Sequence, residues 1–176
     1  MIFIETDFKG AYIIELEQKK DERGFFARSF CEKEFAAHKL SFAIRQSNIS
    51  YNAKAGTLRG MHYQTLPYEE IKLVSCLRGA IYDVIIDLRK DSATYCKWFA
   101  VELNAKDYKS LYIPKGFAHG FQALCDDTLV LYQMSEFYHP DSARGLRWDD
   151  KLFVINWPIK EPILSDKDRG YPDYKK

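Results

Sequence analysis

Lys72–Leu88 reads KLVSCLRGAIYDVIIDL. Two apolar runs, Lys72–Leu77 and Ala80–Leu88, flank the dipeptide Arg78-Gly79. The pattern predicts two antiparallel strands joined by a tight turn. Side chains alternate between the faces of a strand. Tyr82, Val84, Ile86 and Leu88 therefore share one face, and Ile81, Asp83, Ile85 and Asp87 the other. A carboxylate among isoleucines is costly when buried without a partner. An exposed edge is the reading expected for Asp87.

The same rhythm extends in both directions. Downstream, Lys97–Leu103 and Ser110–Ile113 read as strands. Pro114-Lys115-Gly116 turns into a short strand ending at Leu124, and a tight turn at Cys125–Asp127 leads to a strand over Thr128–Met134. There Val130, Tyr132 and Met134 share a face, and a core tyrosine with a satisfied hydroxyl is one reading of Tyr132. Upstream, Ala11–Leu16 is a strand, KKDERG a polar turn and GFFARSF a second extended run. Ser29 stands three residues before Glu32, the spacing of a capping box for a short helix running to His38. Phe42–Tyr51 is extended and carries Gln46 and Asn48 on one face. From Ser135 the chain reads as loops. Many short strands between Gly, Asp and Pro turns predict a mainly β, closed antiparallel sandwich or barrel of jelly-roll type. Residues 1–176 are expected to form a single domain with short peripheral helices.

Composition narrows the function. The 47% hydrophobic and 29% charged content fits a globular chain rather than a disordered one. A net charge of +1 gives no global field to recruit nucleic acid or an anionic membrane. No apolar run approaches the ~20 residues of a membrane span, and the N-terminus lacks the pattern of a signal peptide. Cys31, Cys76, Cys96 and Cys125 show no CxxC pairing and read as reduced thiols. These features together predict a cytoplasmic protein.

The chemistry concentrates in Gly56–Lys72, GTLRGMHYQTLPYEEIK. Arg59 and His62 lie three apart, so an ideal strand would point them to opposite faces. A bulge at Gly60 would bring them together. Solvated charges at Arg59 and Lys72, with His62 as a hydrogen-bonded core histidine, is the competing reading. A metal site needs several converging ligands. Gln64, not a second histidine, follows His62 by two, and His119 after the Pro-Lys-Gly turn supplies at most one more. No metal or cofactor is expected. There is no GxGxxG, P-loop or nucleophile elbow. What remains are cations suited to a diphosphate (Arg23, Arg59, Lys72 and His119). A histidine base, a tyrosine acid and an oxyanion partner suit proton removal beside a carbonyl.

DERGFF at Asp21–Phe26, the Gln46/Asn48 pair, LRGMHYQ at Leu58–Gln64 and KLV at Lys72–Val74 resemble the dTDP-4-dehydrorhamnose 3,5-epimerase family. So do RGAIYDVIIDLR, YIPKGFAHGFQ, RGLRWDD and ILSDKD further on, in order over nearly the whole chain. The resemblance implies a cupin-like jelly roll, a homodimer, and cofactor-independent epimerisation of a nucleotide-linked 4-keto-6-deoxyhexose in deoxysugar synthesis. By motif, His62 corresponds to the general base, Asp168 to its paired carboxylate and Tyr132 to the acid on the opposite face of the sugar. Lys72 and Arg59 match the cations near the keto oxygen and phosphates. Arg23, Gln46, Asn48 and His119 match further substrate contacts, and Tyr138 an aromatic of the nucleotide site. Three positions depart from the family pattern. Arg28 stands where a nucleotide-contacting Glu is common, Glu70 where Gln is common, and Ala143 where an acidic residue is frequent. They leave the acid–base set intact and bear on the nucleotide and sugar. A single-site epimerase or ketoisomerase on a dTDP-, CDP- or GDP-ketosugar, a non-catalytic nucleotide-sugar-binding barrel, and a metal cupin are the competing functions.

Overall fold

A computed structural model describes all 176 residues. The strands are β1 (Ile2–Glu5), β2 (Tyr12–Glu15), β3 (Lys19–Asp21), β4 (Gly24–Phe26), β5 (Gln46–Asn52), β6 (Leu58–Gln64), β7 (Lys72–Arg78), β8 (Ala80–Asp87), β9 (Trp98–Asn104), β10 (Lys109–Ile113), β11 (Phe117–Ala123), β12 (Thr128–Met134) and β13 (Ala143–Gly145). Two short helices, α1 (Glu32–Ala37) and α2 (Asp166–Arg169), lie outside them. A six-stranded sheet in the order β1-β2-β10-β7-β12-β5 faces a five-stranded sheet in the order β13-β6-β11-β8-β9. Every pairing within them is antiparallel. This is the jelly-roll expected from the rhythm of short strands and turns. No helix is long and apolar enough to cross a membrane.

Strand alternation builds three apolar layers. Between the sheets, Val74, Leu111, Ile113 and Val130 meet Ile81, Ile85, Phe117 and Phe121. The opposite faces of β8 and β6, with Val84, Ile86, Leu58 and Met61, lie under Leu146, Phe153 and Trp157 of the C-terminal segment. Behind the six-stranded sheet, Ile14, Leu73 and Tyr112 carry Phe35 of α1 together with Leu40 and Phe42. Because β8 is covered on both faces, it reads as an almost unbroken apolar run.

Two local expectations are corrected. The helix expected from Ser29 begins at Glu32, and its N-cap is Cys31, which makes no side-chain cap bond. Packing of Phe35 against Phe3, Phe30 and Phe42 holds this short helix in place of a capping box. Asp87 is fully buried rather than on an exposed edge. Its carboxylate accepts from Arg89 Nε and Nη2 at 2.9 and 2.8 Å, and from the hydroxyls of Ser92 and Thr94 at 2.6 Å each. Burial pushes this carboxyl upward, but those donors outweigh it and bring its pKa down to about 2.

Candidate active site

One end of the space between the sheets stays open as a cavity of about 460 Å³, within the size range of small-molecule sites. The bulge at Gly60 creates its reactive wall. Between His62 and Arg59 on β6 lie three steps, and between their partners His119 and Phe121 on β11 only two. The extra residue turns both Arg59 and His62 into the cavity, while Leu58 and Met61 stay in the outer layer. Gly60 has φ +137°, and a Cβ there would come within 2.5 Å of Gly120 Cα on β11. Only two glycines let the strands approach this closely.

His62 meets Asp168 across the cavity rim, with Nε2 and Oδ1 2.6 Å apart. Asp168 belongs to α2, whose N-cap Ser165 accepts from the Asp168 amide. Burial pushes the Asp168 carboxyl up, but His62, the Gly60 backbone and Ser165 outweigh it and keep the group below its ordinary value. Asp168 therefore stays ionised, and its bond to Nε2 selects the tautomer that leaves the other ring nitrogen free to accept a proton. Tyr171 stands edge-on to His62 with ring centroids 5.7 Å apart. Its ring fills the space beside Gly145, where a Cβ would lie 2.3 Å from it.

Tyr132 arrives from β12 on the facing sheet and lines the same cavity. Burial, then the nearby Asp83, pushes its hydroxyl well above the usual phenol value. It is held as a proton donor through the neutral range. His119, the cross-strand neighbour of His62, lies between the two groups along the wall, its ring 5.9 Å from Tyr132. Asp83 Oδ1 sits 2.7 Å from His119 Nε2. The cavity is thus backed by two histidine–carboxylate pairs. Asp83, flagged in the sequence as a carboxylate in need of a partner, has found one, although its Oδ2 has none.

Lys72 begins β7 and is buried in the wall. Its Nζ donates to the His62 carbonyl at 3.3 Å and lies 2.7 Å from Glu70 Oε1. Arg59 is steadied by Asn52 Oδ1 at 2.9 Å and the Tyr51 carbonyl at 3.2 Å. Asn48 and Tyr138 also line the cavity. Gln46 stands behind, accepting from the Tyr138 amide at 3.0 Å. Arg23 and Arg28 do not reach it. Arg23 caps the exposed β3–β4 hairpin and pairs with Asp21 at 2.6 Å, and Arg28 pairs with Glu34 at 2.7 Å. Ala143 does line the cavity, as do Ser50, Arg144, Lys167 and Tyr171, which the reading of the sequence missed. Lys167 sits beside Asp168 in ILSDKD, so the motif itself contained the signal. Its ammonium is favoured first by Tyr171 and then by Tyr138.

With this geometry, an imidazole and a phenol face one cavity from different sheets, and the buried Lys72 lies in the same wall. The model of the dTDP-4-dehydrorhamnose 3,5-epimerase family matches residues 5–176. A dTDP-4-dehydrorhamnose 3,5-epimerase of Shigella flexneri is 44% identical over 171 residues, covering 96% of this chain and 93% of that protein. The crystal structure of the Bacillus anthracis enzyme of that name, with TDP and pyrophosphate bound, is 44% identical and superposes with a TM-score of 0.95 over 98% of this chain and 99% of that one. A 3'-monoepimerase of Streptomyces bikiniensis in complex with dTDP-quinovose is 31% identical, with a TM-score of 0.88 over 97% of this chain and 86% of that one. By sequence, fold and the content of its cavity, the chain belongs to the dTDP-4-dehydrorhamnose 3,5-epimerase family.

Proposed function

We propose that this protein inverts C3 and C5 of a dTDP-linked 4-keto-6-deoxyhexose, the conversion of dTDP-4-dehydro-6-deoxyglucose to dTDP-4-dehydrorhamnose. The observation that carries the reading is the convergence of His62–Asp168, Tyr132 and Lys72 on one cavity. The C4 ketone acidifies the hydrogens on both neighbouring carbons, so one base serves two positions. His62 takes the proton from carbon. The electron pair moves onto the keto oxygen, and Lys72 stabilises the resulting enolate, a charge present only along the reaction path. Tyr132 returns a proton to the opposite face, and solvent resets both groups. Arg59 and Lys167 supply positive charge for the diphosphate, and Tyr138 an aromatic face for the base. No step calls on a metal or cofactor.

The reaction is tested by proton NMR in deuterated water with the dTDP-4-keto-6-deoxyglucose substrate. Solvent deuterium is expected at C3 and C5 of an inverted product. Replacing His62 by Ala is expected to cut the rate by about 10²–10⁴-fold. Exchange at one carbon selects a single-site epimerase, the activity in the name of the Streptomyces relative, which has the same fold. Nucleotide-sugar binding without any exchange would select a non-catalytic barrel.

The reading extends to the assembly: one catalytic unit over residues 1–176, acting as a cytoplasmic homodimer. Two observations support a second copy. The β3–β4 hairpin carries Phe26, 74% exposed, and β5, the outer strand of its sheet, presents Ile49 at 63%. Arg23, matched by motif to a substrate contact, and Arg28, at the position where the family commonly carries a nucleotide-contacting Glu, lie outside their own cavity, so the hairpin would serve the cavity of a partner.

A further inference from the structure

Two carboxylate oxygens in the molecule are buried without a partner, on Asp83 and Glu70. Asp83 lies beneath His119, behind the cavity wall. Glu70 is part of the wall. Its Oε1 is 2.7 Å from Lys72 Nζ, and the two side chains are 6% and 8% exposed. Its Oε2 has no donor, a state that folded proteins rarely leave unexplained. The loop does not owe this to looseness. Gln64 donates to the carbonyls of Tyr68 and Phe137 at 2.9 and 3.1 Å, and the Ile71 amide donates to Ser135 Oγ at 2.8 Å. Tyr68 stacks on His139 with centroids 3.6 Å apart.

Lys72 is committed on two sides, to Glu70 and to the His62 carbonyl. An ammonium has three donors, and the third remains for the keto oxygen. A carboxylate this close to a carbonyl that becomes an enolate repels it, unless a donor sits between the two oxygens. Of the carbons flanking the ketone, C5 bears a methyl group and C3 a hydroxyl, which lies one hydrogen-bond length from the keto oxygen. We propose that Glu70 Oε2 accepts a hydrogen bond from the C3 hydroxyl, selecting hexoses that carry it and fixing which edge of the ring meets Lys72. With the ring reversed, Oε2 would stay buried against the methyl group. The proposal rests on the epimerase reading, in which Lys72 receives the keto oxygen.

The experiment compares dTDP-4-keto-6-deoxyglucose with its 3-deoxy analogue and reads deuterium uptake at C5, a carbon common to both. The wild type is expected to favour the hydroxylated sugar by about 10- to 100-fold in kcat/KM, the scale of one charged hydrogen bond. Glu70→Ala is expected to compress that preference to under about threefold. Glu70→Gln keeps an acceptor oxygen and is expected to lose only part of it. Equal losses on both sugars in Glu70→Ala would show that Glu70 merely holds Lys72, and would overturn the proposal. If that variant fails to fold, the remaining proteins decide. Equal rates on the two sugars in the wild type, or an undiminished preference in Glu70→Gln, overturn it, and a preference that falls supports it. Absence of exchange on either sugar is a separate failure, that of the epimerase reading itself, and removes both.

Discussion

His62 gains its chemical identity from two neighbours that are distant in sequence. Asp168 orients the ring from 106 positions away, and Tyr171 blocks one side of it. Asp168→Asn would keep the shape but lose the anion that fixes the tautomer, and a rate loss of about 10²–10³-fold is expected in the NMR assay. The Asp168 carboxyl is held below its ordinary value, so in the wild type it stays ionised above about pH 5. Tyr132 makes a different prediction. Without its proton donor, Tyr132→Phe should still let His62 remove and return hydrogen on one face. Deuterium exchange is then expected to persist while inversion falls by about 10²-fold or more. Parallel loss of both would assign Tyr132 to binding alone. The upward shift of the hydroxyl also means that wild-type kcat should show no alkaline loss from this group below about pH 10, the ordinary tyrosine value.

At the scale of elements, the bulge in β6 and the end of β8 each settle one question that strand alternation leaves open. Gly60→Ala would drive a Cβ to 2.5 Å from Gly120 Cα at φ +137°. A loss of about 2 kcal/mol or more in urea unfolding is expected, together with loss of activity as Arg59 and His62 part. Asp87 makes the case for pH. Its folded pKa of about 2 lies below the ordinary value of 3.8. The depressed value means that stability is fully present above the unfolded pKa and is lost as pH falls through the folded one. Asp87→Asn is expected to cost about 2 kcal/mol at pH 7, and the gap to wild type should close between about pH 4 and pH 2. A gap unchanged at pH 2.5 would show that packing, not charge, is responsible. The Asp87 example also shows the limit of periodicity: alternation located the side chain on its face correctly, but Arg89, Ser92 and Thr94 make burial tolerable only because the loop after β8 folds back.

For the whole molecule, the open question is what covers the hairpin. Phe26→Glu is expected to shift the protein to the monomer in sedimentation, with a loss of activity. A stronger test mixes Arg23→Ala with His62→Ala. If the hairpin of one copy serves the cavity of the other, the mixture should recover more activity than the sum of its parts. Additive activity would confine each site to one chain. Most of the architecture was legible beforehand, because strand period, turn residues and the absence of long helical faces are local properties of the chain. The identities of His62, Lys72, Tyr132 and Asp168 were legible through motifs distributed over the length of the chain. Their convergence was implied by the family resemblance but not by any local pattern. A β-sandwich brings together residues far apart in sequence, and which strand neighbours which is decided by the register of β6 on β11 and of β12 on β7. Sequence alone therefore determined the jelly roll and its chemical inventory. Only the tertiary structure decided that the Gly60 bulge turns Arg59 and His62 the same way, that Asp83 backs His119, and that Glu70 leaves a buried oxygen beside Lys72, because each depends on contacts across strands that no local pattern encodes.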